Sequence, residues 1–182
     1  MKLTSFTVLF VCACAAQTAS TTPSASAGAS SGGGATASIE GRSGSALTGN
    51  ARFQQESSGL KVHVELQGAT PGEHGLHVHE KGDCTDSKAA SAGGHFNPGA
   101  AEHHGGPDTA VRHGGDLGNI TVDASGKGTL DVTVHGLSLD GASDAVTGRA
   151  IVVHEKIDDL KSDPAGNSGA RIGCGVIQAA AR

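Results

Sequence analysis

The sequence predicts an all-β protein built from antiparallel strands. Short runs in which apolar and polar residues alternate are separated by glycine-rich turns, and the 182 residues include 29 glycines. A period of two is typical of strands that bury one face. No segment shows a convincing amphipathic helix period. With no Trp, no Tyr and only four Phe, the core must consist mainly of Val, Ile, Leu and Ala.

The N-terminal residues 1–16 are expected to be an export signal. Lys2 is followed by an apolar run and then by small residues. The stretch ending at Cys14 resembles a bacterial lipoprotein processing box, which predicts cleavage before Cys14 and a lipid on that cysteine that anchors the protein to a membrane. Cleavage near Ala15 or Ala16 would instead release a soluble protein.

A flexible tether is expected to follow the signal. Residues 17–34 lack charge and almost lack large apolar side chains, so they cannot bury enough surface to offset the entropy of ordering. The folded domain is therefore predicted to span residues 35–182.

Charge and hydropathy argue against a nucleic-acid partner and against a segment that spans a membrane. The net charge is −5 and the chain has almost no aromatic side chains, so it lacks both the basic face and the stacking platform of a nucleic-acid-binding protein. No uninterrupted apolar run is long enough to span a bilayer.

The strands can be placed in order along the domain. Each predicted strand alternates in polarity, and a break at Ala124–Gly126 marks a hairpin turn within 119–137. The other predicted strands are 50–56, 60–68, 75–81, 148–156 and 171–179. One turn of helix is conceivable at 89–94 or at 158–161.

A long segment between Cys84 and Asp116 has little strand character. Structureless segments of this length in a compact domain are usually functional or disordered. Because this one contains four histidines, we interpret it as functional. A shorter irregular stretch, 158–170, joins the last two strands.

A histidine pair on one predicted strand suggests a metal site. His77 and His79 lie at i and i+2, so their side chains project from the same face. His95 in the long segment and His154 in "VVHEK" are candidates to complete the set. Four imidazoles suit copper, because imidazole nitrogens tolerate both Cu(I) and Cu(II).

The same long segment offers a second set of donors. It adds His104, His113 and Asp116 to His95. Three histidines and one carboxylate form a closed tetrahedral set, which suits structural zinc.

The domain contains two cysteines, Cys84 and Cys174. An exported protein meets an oxidising compartment, which favours one disulfide between them. The alternative is a pair of buried free thiols.

Six motifs together resemble the Cu/Zn superoxide dismutase family, in its exported bacterial form, over residues 39–179. In family order they read "GLHVHEKGDC", "SAGGHFNP", "HGGP", "RHGGDLGN", "VVHEKIDDL" and "GNSGARIGCGVI". The resemblance implies an eight-stranded antiparallel Greek-key β-barrel, an immunoglobulin-like sandwich with a long metal-binding loop. It implies an oxidoreductase that binds one copper and one zinc per chain and converts two superoxide anions and two protons into dioxygen and hydrogen peroxide. Such an antioxidant enzyme would protect the cell envelope or exterior.

The resemblance also assigns roles to single residues. It implies that His95 bridges the two metals and delivers a proton, that Arg171 attracts the anionic substrate, and that Asp158 orients His77 and His104. It matches the family's intrachain disulfide to Cys84 and Cys174. The implied copper ligands are His77, His79, His95 and His154, and the implied zinc ligands are His95, His104, His113 and Asp116.

Some alternatives stay open at the level of sequence. His103 keeps the spacing of many eukaryotic members, whereas His104 keeps the bacterial HGGP context and is preferred. Arg171 could instead pair with Asp158 or Asp159. The segment from His154 to Arg171 is shorter than in typical eukaryotic members and is not obviously cationic, so how well this loop steers the substrate stays open.

The remaining histidines have structural interpretations. His74 matches a position that does not bind metal and is expected to form hydrogen bonds, while His63 and His135 are expected to be surface or core residues.

Three other functions compete with the enzyme interpretation. An exported copper buffer or metallochaperone would use the same barrel, but it is disfavoured because every ligand is retained. A copper-only variant would lack zinc ligands, and an inert barrel would not place ligands in four separated segments. We expect a periplasmic or envelope-anchored protein, or else a secreted one, that is a monomer or a homodimer.

Overall fold

The computed structural model describes Met1, residues 33–141 and residues 143–180. The predicted export signal, Cys14 and almost all of the predicted tether therefore lie outside the described residues. The described part is an all-β domain with one 3₁₀ turn, Ala90–Ala92. Its strands are β1 (Ala35–Gly41), β2 (Thr48–Glu56), β3 (Gly59–Gln67), β4 (Gly72–His79), β5 (Asp116–Val122), β6 (Gly128–Val134), β7 (Ala150–His154), β8 (Arg171–Val176) and β9 (Gln178–Ala179).

The strands form one closed antiparallel sheet. The hydrogen-bonded order is β2-β3-β6-β5-β4-β7-β8-β1-β9, and a further pairing between β1 and β2 closes it. The two-residue β9 pairs only with β1 among the described strands. The chain passes from β3 to β4 across β5 and β6, so neighbours in sequence are not neighbours in the sheet, as in a Greek key. The predicted eight-stranded Greek-key barrel is confirmed.

The core fills the inside of the barrel. Along β3 the residues Leu60, Val62, Val64 and Leu66 are buried while their neighbours face outward. This alternation is what a sheet with one solvated face requires. Phe53, Ile39 and Ile151 are among the largest side chains packed inside.

Strand β4 differs because both of its faces are covered from His74 onward. Leu76 and Val78 point into the core, while His77 and His79 face the two long loops that follow β4 and β7. The pairing of β4 shifts register between Gly75 and His77, and such bulges re-aim side chains. The barrel thus presents a histidine pair to a covered outer site.

A disulfide ties the first of these loops to the barrel. Cys84 and Cys174 are bonded, with their Cα atoms 5.7 Å apart and a sequence separation of 90 residues. The predicted bond is confirmed and the free-thiol alternative is wrong. In the chain-entropy model, closing a loop of this length stabilises the fold by about 4–5 kcal/mol.

Most predicted strands are present, but one was not predicted and several bounds differ, as in β4, which begins at Gly72 rather than at Gly75. β1 was not placed by the sequence, β5 begins at Asp116 rather than at Asn119, and the last predicted strand is divided into β8 and β9. The 3₁₀ turn falls within 89–94, and none is found at 158–161. Within the described residues, no helix has the length and apolar character needed to cross a membrane.

Candidate metal centre

Four histidines converge on the outer side of β4 in what we call the strand group. His77 and His79 lie on β4, and His154 ends the neighbouring strand β7. His95 reaches them from the long loop because it forms an isolated bridge with His79. One ring nitrogen from each of the four lies within 4.8 Å of the others. The strand group is His77, His79, His95 and His154.

Each strand-borne ring is fixed through one nitrogen, and its other nitrogen faces the other members of the group, where His79 Nε2 and His154 Nε2 lie 3.5 Å apart. The Nε2 of His77 donates to Asp158 Oδ2 at 2.7 Å, and the Nδ1 of His79 donates to Gly93 O at 3.0 Å. The Nδ1 of His154 donates to Ser168 Oγ at 3.0 Å. A histidine that ligates a metal typically donates its other N–H in this way.

A second set of donors, the loop group, surrounds one carboxylate oxygen. Asp116 Oδ1 lies 2.8 Å from His95 Nδ1, 3.0 Å from His104 Nδ1 and 3.4 Å from His113 Nδ1. Donors on a tetrahedral zinc ion are about 3.3 Å apart, so these distances lie close to that geometry. The loop group is His95, His104, His113 and Asp116.

The backbone fixes the carboxylate of Asp116 from the other side. Its Oδ2 accepts hydrogen bonds from the amides of Gly105 (3.1 Å) and His113 (3.0 Å). The loop residues next to the donors therefore orient Asp116, whose Oδ1 is left for the histidines.

Four buried ring nitrogens form no well-directed hydrogen bond among the described residues, although two of them, His104 Nδ1 and His113 Nδ1, lie close to the Asp116 carboxylate. Buried polar atoms are nearly always partnered, so a cluster of unpartnered ones needs a reason. These atoms face the inside of the two groups, and one metal ion in each group would satisfy all of them. They are His77 Nδ1, His95 Nε2, His104 Nδ1 and His113 Nδ1.

Burial keeps the strand group neutral. It lowers the pKa of His77 to about 4 and that of His154 to about 3, and it also lowers the pKa values of His79 and His95. Neutral imidazoles carry the lone pair that a metal requires.

His104 in the loop group behaves in the opposite way. Burial acts against its charged form, but the nearby carboxylates of Asp116 and Asp158 prevail and raise its pKa to about 9. For Asp116 and Asp158, burial favours the neutral acid, but hydrogen bonds from the histidines hold both pKa values well below the ordinary range. The loop group is therefore held together by charge.

Asp158 connects the two groups. Its Oδ2 accepts from His77, while both of its oxygens lie within 3.0 Å of His104 Nε2. Its backbone is clamped by Asn119, whose Nδ2 donates to Asp158 O at 2.9 Å and whose Oδ1 accepts from Asp158 N at 2.8 Å. The sequence did not single out Asn119. The only sequence signal was an asparagine among the apolar residues of "LGNITV", which the structure shows to be half-buried.

The structure separates the two adjacent histidines. His104 is buried in the loop group, whereas the side chain of His103 is 65% exposed and its Nδ1 donates to Asp163 Oδ2 at 2.8 Å. The other oxygen of Asp163 accepts from the backbone N–H of His104 at 2.7 Å. His103 thus lies outside the cluster that His104 joins.

Arg171 lies beside the strand group. Its guanidinium donates to Ala89 O and to Gly93 O, each at 2.7 Å. Gly93 O is also the acceptor for His79. Among the described residues, Arg171 forms no ion pair with Asp158 or Asp159, so the alternative role considered from the sequence is not observed.

The other histidines stand apart from both groups. His74 is buried, with its Nδ1 2.8 Å from His154 O and its Nε2 2.8 Å from Thr70 O, so it supports the end of β7 by hydrogen bonds as expected. His63 contacts Asp131 on the outer face of β3, and His135 is exposed.

The comparisons with known proteins agree with this geometry. A family model described as copper/zinc superoxide dismutase matches residues 47–177. A Cu-Zn superoxide dismutase of Deinococcus radiodurans is 43% identical over 143 residues, which cover 73% of this chain and 78% of the relative. One from Paramecium bursaria Chlorella virus 1 is 48% identical over 139 residues, 72% of each chain. An extracellular Cu-Zn superoxide dismutase of Drosophila melanogaster is 46% identical over 139 residues, 72% of this chain and 75% of the relative.

Proposed function

Because the chain belongs to the copper/zinc superoxide dismutase family, we propose that it converts two superoxide anions and two protons into dioxygen and hydrogen peroxide. The observation that carries this proposal is the set of four buried, unpartnered ring nitrogens arranged in two donor groups that share His95. A barrel that served only as a scaffold would have no reason to leave them unpartnered.

We assign the strand group to copper and the loop group to zinc. Four neutral imidazoles suit a metal that alternates between Cu(I) and Cu(II), whereas three histidines and a carboxylate make the closed set typical of structural zinc. When bound, copper supplies the one-electron oxidation and reduction, and zinc supplies positive charge without redox chemistry.

His95 is the residue placed to move a proton. Its Nδ1 faces Asp116, and its Nε2 faces the strand group without a hydrogen-bond partner among the described residues. Nε2 is therefore the atom that can take up a proton and release it to a reduced oxygen species beside it. Asp116 fixes the ring in the orientation this requires.

Arg171 is proposed to attract the substrate. Its guanidinium is fixed to two carbonyls, one of which also accepts from His79. Burial lowers the pKa of Arg171 from its ordinary value, but a guanidinium stays charged in proteins. The chain as a whole is negative, but distant charges are screened beyond about 8 Å at physiological salt. A local cation can therefore dominate the field that a small anion meets.

The test of the activity is superoxide decay measured by pulse radiolysis on the purified protein, with copper and zinc counted in the same sample. Fast decay proportional to bound copper, near one copper and one zinc per chain, is the expected result. Copper bound at that ratio without decay would favour a copper buffer instead.

The role of Arg171 is tested by Arg171→Glu. We expect the rate to fall severalfold and part of its salt dependence to invert. Arg52→Glu makes the same change of charge at an exposed position on β2, and it should have little effect. An unchanged rate for Arg171→Glu at low salt would remove Arg171 from this role.

We also propose that the protein is exported and that Cys14 carries a lipid in the periplasm or cell envelope. Two observations support export: relatives from Caenorhabditis elegans and Drosophila melanogaster are extracellular enzymes by name, and a disulfide persists in oxidising compartments. Mass spectrometry of the mature protein should show a lipid that is lost in Cys14→Ala and kept in Cys12→Ala. A mature chain that begins after Cys14 would rule out the anchor.

A further inference from the structure

The turn between β1 and β2 contacts both the strand that carries Arg171 and the loop that Arg171 is hydrogen-bonded to. It is tight, because Ser43 has φ 53° and Gly44 has φ 83°, and Ser45 N donates to Arg42 O at 2.9 Å. Nothing in the sequence connects this turn with the donor groups. Its contacts nevertheless reach the loop after β4 and the start of β8.

Two residues of the turn hold the loop after β4. The Nε of Arg42 donates to Cys84 O at 2.9 Å, and Ser43 N donates to Ser87 O at 2.7 Å. The guanidinium of Arg42 also donates to Gly41 O at 2.8 Å, and its side chain is only 18% exposed. A fixed, largely buried guanidinium is a stronger anchor than a mobile surface cation.

The same two residues hold the strand that carries Arg171. Arg42 N donates to Ile172 O at 2.9 Å, and Ser43 Oγ donates to Arg171 O at 2.8 Å. The backbone of Arg171 and the loop to which its side chain is bonded are therefore attached to one turn.

The loop segment from Asp86 to Ala90 is held rigid by its own hydrogen bonds, so fixing Ser87 also fixes Ala89, whose carbonyl accepts from Arg171. Asp86 Oδ1 accepts from the amides of Lys88 (2.8 Å) and Ala90 (3.0 Å), and Ala89 N donates to Asp86 O at 2.9 Å. Holding Ser87 thus also holds Ala89 O, one of the two carbonyls that fix the Arg171 guanidinium.

We propose that Arg42 is a positioning residue for Arg171: together with Ser43 it holds the Cys84–Ala89 loop and the start of β8 in one geometry, as a second tether beside the disulfide. Both tethers act on Cys84, one through its carbonyl oxygen and the other through its sulfur. Either one alone keeps the loop in place, so the placement of Arg171 tolerates reduction of the disulfide. The consequence for catalysis rests on the proposed function, whereas the tethering itself does not.

The experiment compares the wild-type full chain with Arg42→Ala, each with the disulfide intact and with it reduced. Amide hydrogen exchange of the metal-free protein reports the tether directly. Reduction of the wild type should change exchange at Ser43 and across 86–93 by less than about threefold, and reduction of Arg42→Ala should raise it by about tenfold or more. Arg52→Ala, which makes the same charge change on the outer face of β2, should behave as the wild type does.

The metal-loaded proteins report the placement of Arg171 separately. Arg42→Lys keeps the charge, but a single ammonium cannot hold Cys84 O and Gly41 O in the same planar geometry. With the disulfide reduced, we expect the superoxide rate of Arg42→Lys to fall by about threefold and its dependence on ionic strength to flatten, while the copper content stays the same. The affinity for azide, an anion used here as a probe, should fall by a similar factor.

Two results would overturn the proposal. One is equal loop exchange on reduction in the wild type and Arg42→Ala, and the other is an unchanged salt dependence in reduced Arg42→Lys. If Arg42→Ala does not fold, the exchange comparison is made with Arg42→Lys, for which an intermediate increase is expected. A loaded wild type without superoxide decay would contradict the proposed function instead, and the exchange result would still decide whether Arg42 tethers the loop.

Discussion

The strand group and the loop group share His95 but are held by different means. Three members of the strand group lie on β4 and β7, and hydrogen bonds to Asp158, Ser168 and the carbonyl of Gly93 fix their rings. The loop group collects donors from the long segment around Asp116, the first residue of β5. The barrel thus preorganises the strand group, whereas carboxylates and, when bound, the metal bring the loop group together.

The largest effect that would sharpen this comparison is expected from the adjacent histidines. His104→Ala should lower zinc affinity by more than about 100-fold, because it removes a donor from a set of four. His103→Ala is the matched control, and it should change the affinity by less than about threefold because its contact with Asp163 is exposed. Competition with a chromophoric chelator measures both. The reverse order would move the zinc assignment to His103.

The next effect concerns the residue that joins the groups. Asp158→Asn keeps the size of the side chain but weakens the hydrogen bonds that orient His77 and His104, so zinc affinity should fall by about 10–100-fold. Copper affinity should fall less, since β4 and β7 still hold the strand group. Asp140→Asn, at an exposed position in the loop between β6 and β7, serves as the control. Equal losses of the two metals would show that the strand group is not preorganised.

Acid should weaken the metal-free protein through the strand group. The folded-state pKa values of His77 (about 4) and His154 (about 3) lie below the ordinary 6.5. Between these values the unfolded chain binds more protons, so stability falls as the pH falls. His104, with a pKa raised to about 9, opposes this. We expect the free energy of unfolding to be about 1–3 kcal/mol lower at pH 5 than at pH 7.5. Urea unfolding measures the difference, and equal stability at the two pH values would contradict it.

The smallest effect comes from one glycine behind Asp158. Gly166 has φ 60°, and a Cβ there would overlap Asp158 Oδ1 and approach His104 Nε2 to 2.8 Å. Gly166→Ala should therefore displace the carboxylate and lower stability by about 1–2 kcal/mol more than Gly136→Ala does. Gly136 has φ 79° with open space around it, so both variants carry backbone strain and only one carries the collision. Thermal unfolding distinguishes the two variants, and equal losses of stability would show that Asp158 moves aside at little cost.

Much of the fold and of the candidate site could be predicted because the informative residues lie in short motifs. The "HVH" alternation places His77 and His79 on one face of a strand, and the order of the motifs indicated which loop residues would meet them. The structure brings these side chains together, while their roles as ligands remain our proposal.

The unpredicted parts depend on weak local signals or on distant contacts. β1 alternates perfectly in burial, but its inward residues include Ala35 and Ala37, whose small side chains give little hydrophobic contrast with the tether before them. The clamp of Asn119 on Asp158 spans 39 residues, and the contact of Arg42 with Cys84 spans 42. Such pairings arise when the barrel closes, so no local sequence pattern predicts them.

The carboxylate of Asp158, which bonds to His77 on one side and His104 on the other, has a thermodynamic consequence for how the two metals affect each other's binding. If His104 binds zinc as proposed, the zinc ion would also hold Asp158 and so help to orient His77, which would lower the entropy cost of copper binding. Thermodynamic linkage makes this effect reciprocal: copper must raise zinc affinity by the same factor by which zinc raises copper affinity. We therefore expect the two sites to load cooperatively, with little of the protein holding only one metal.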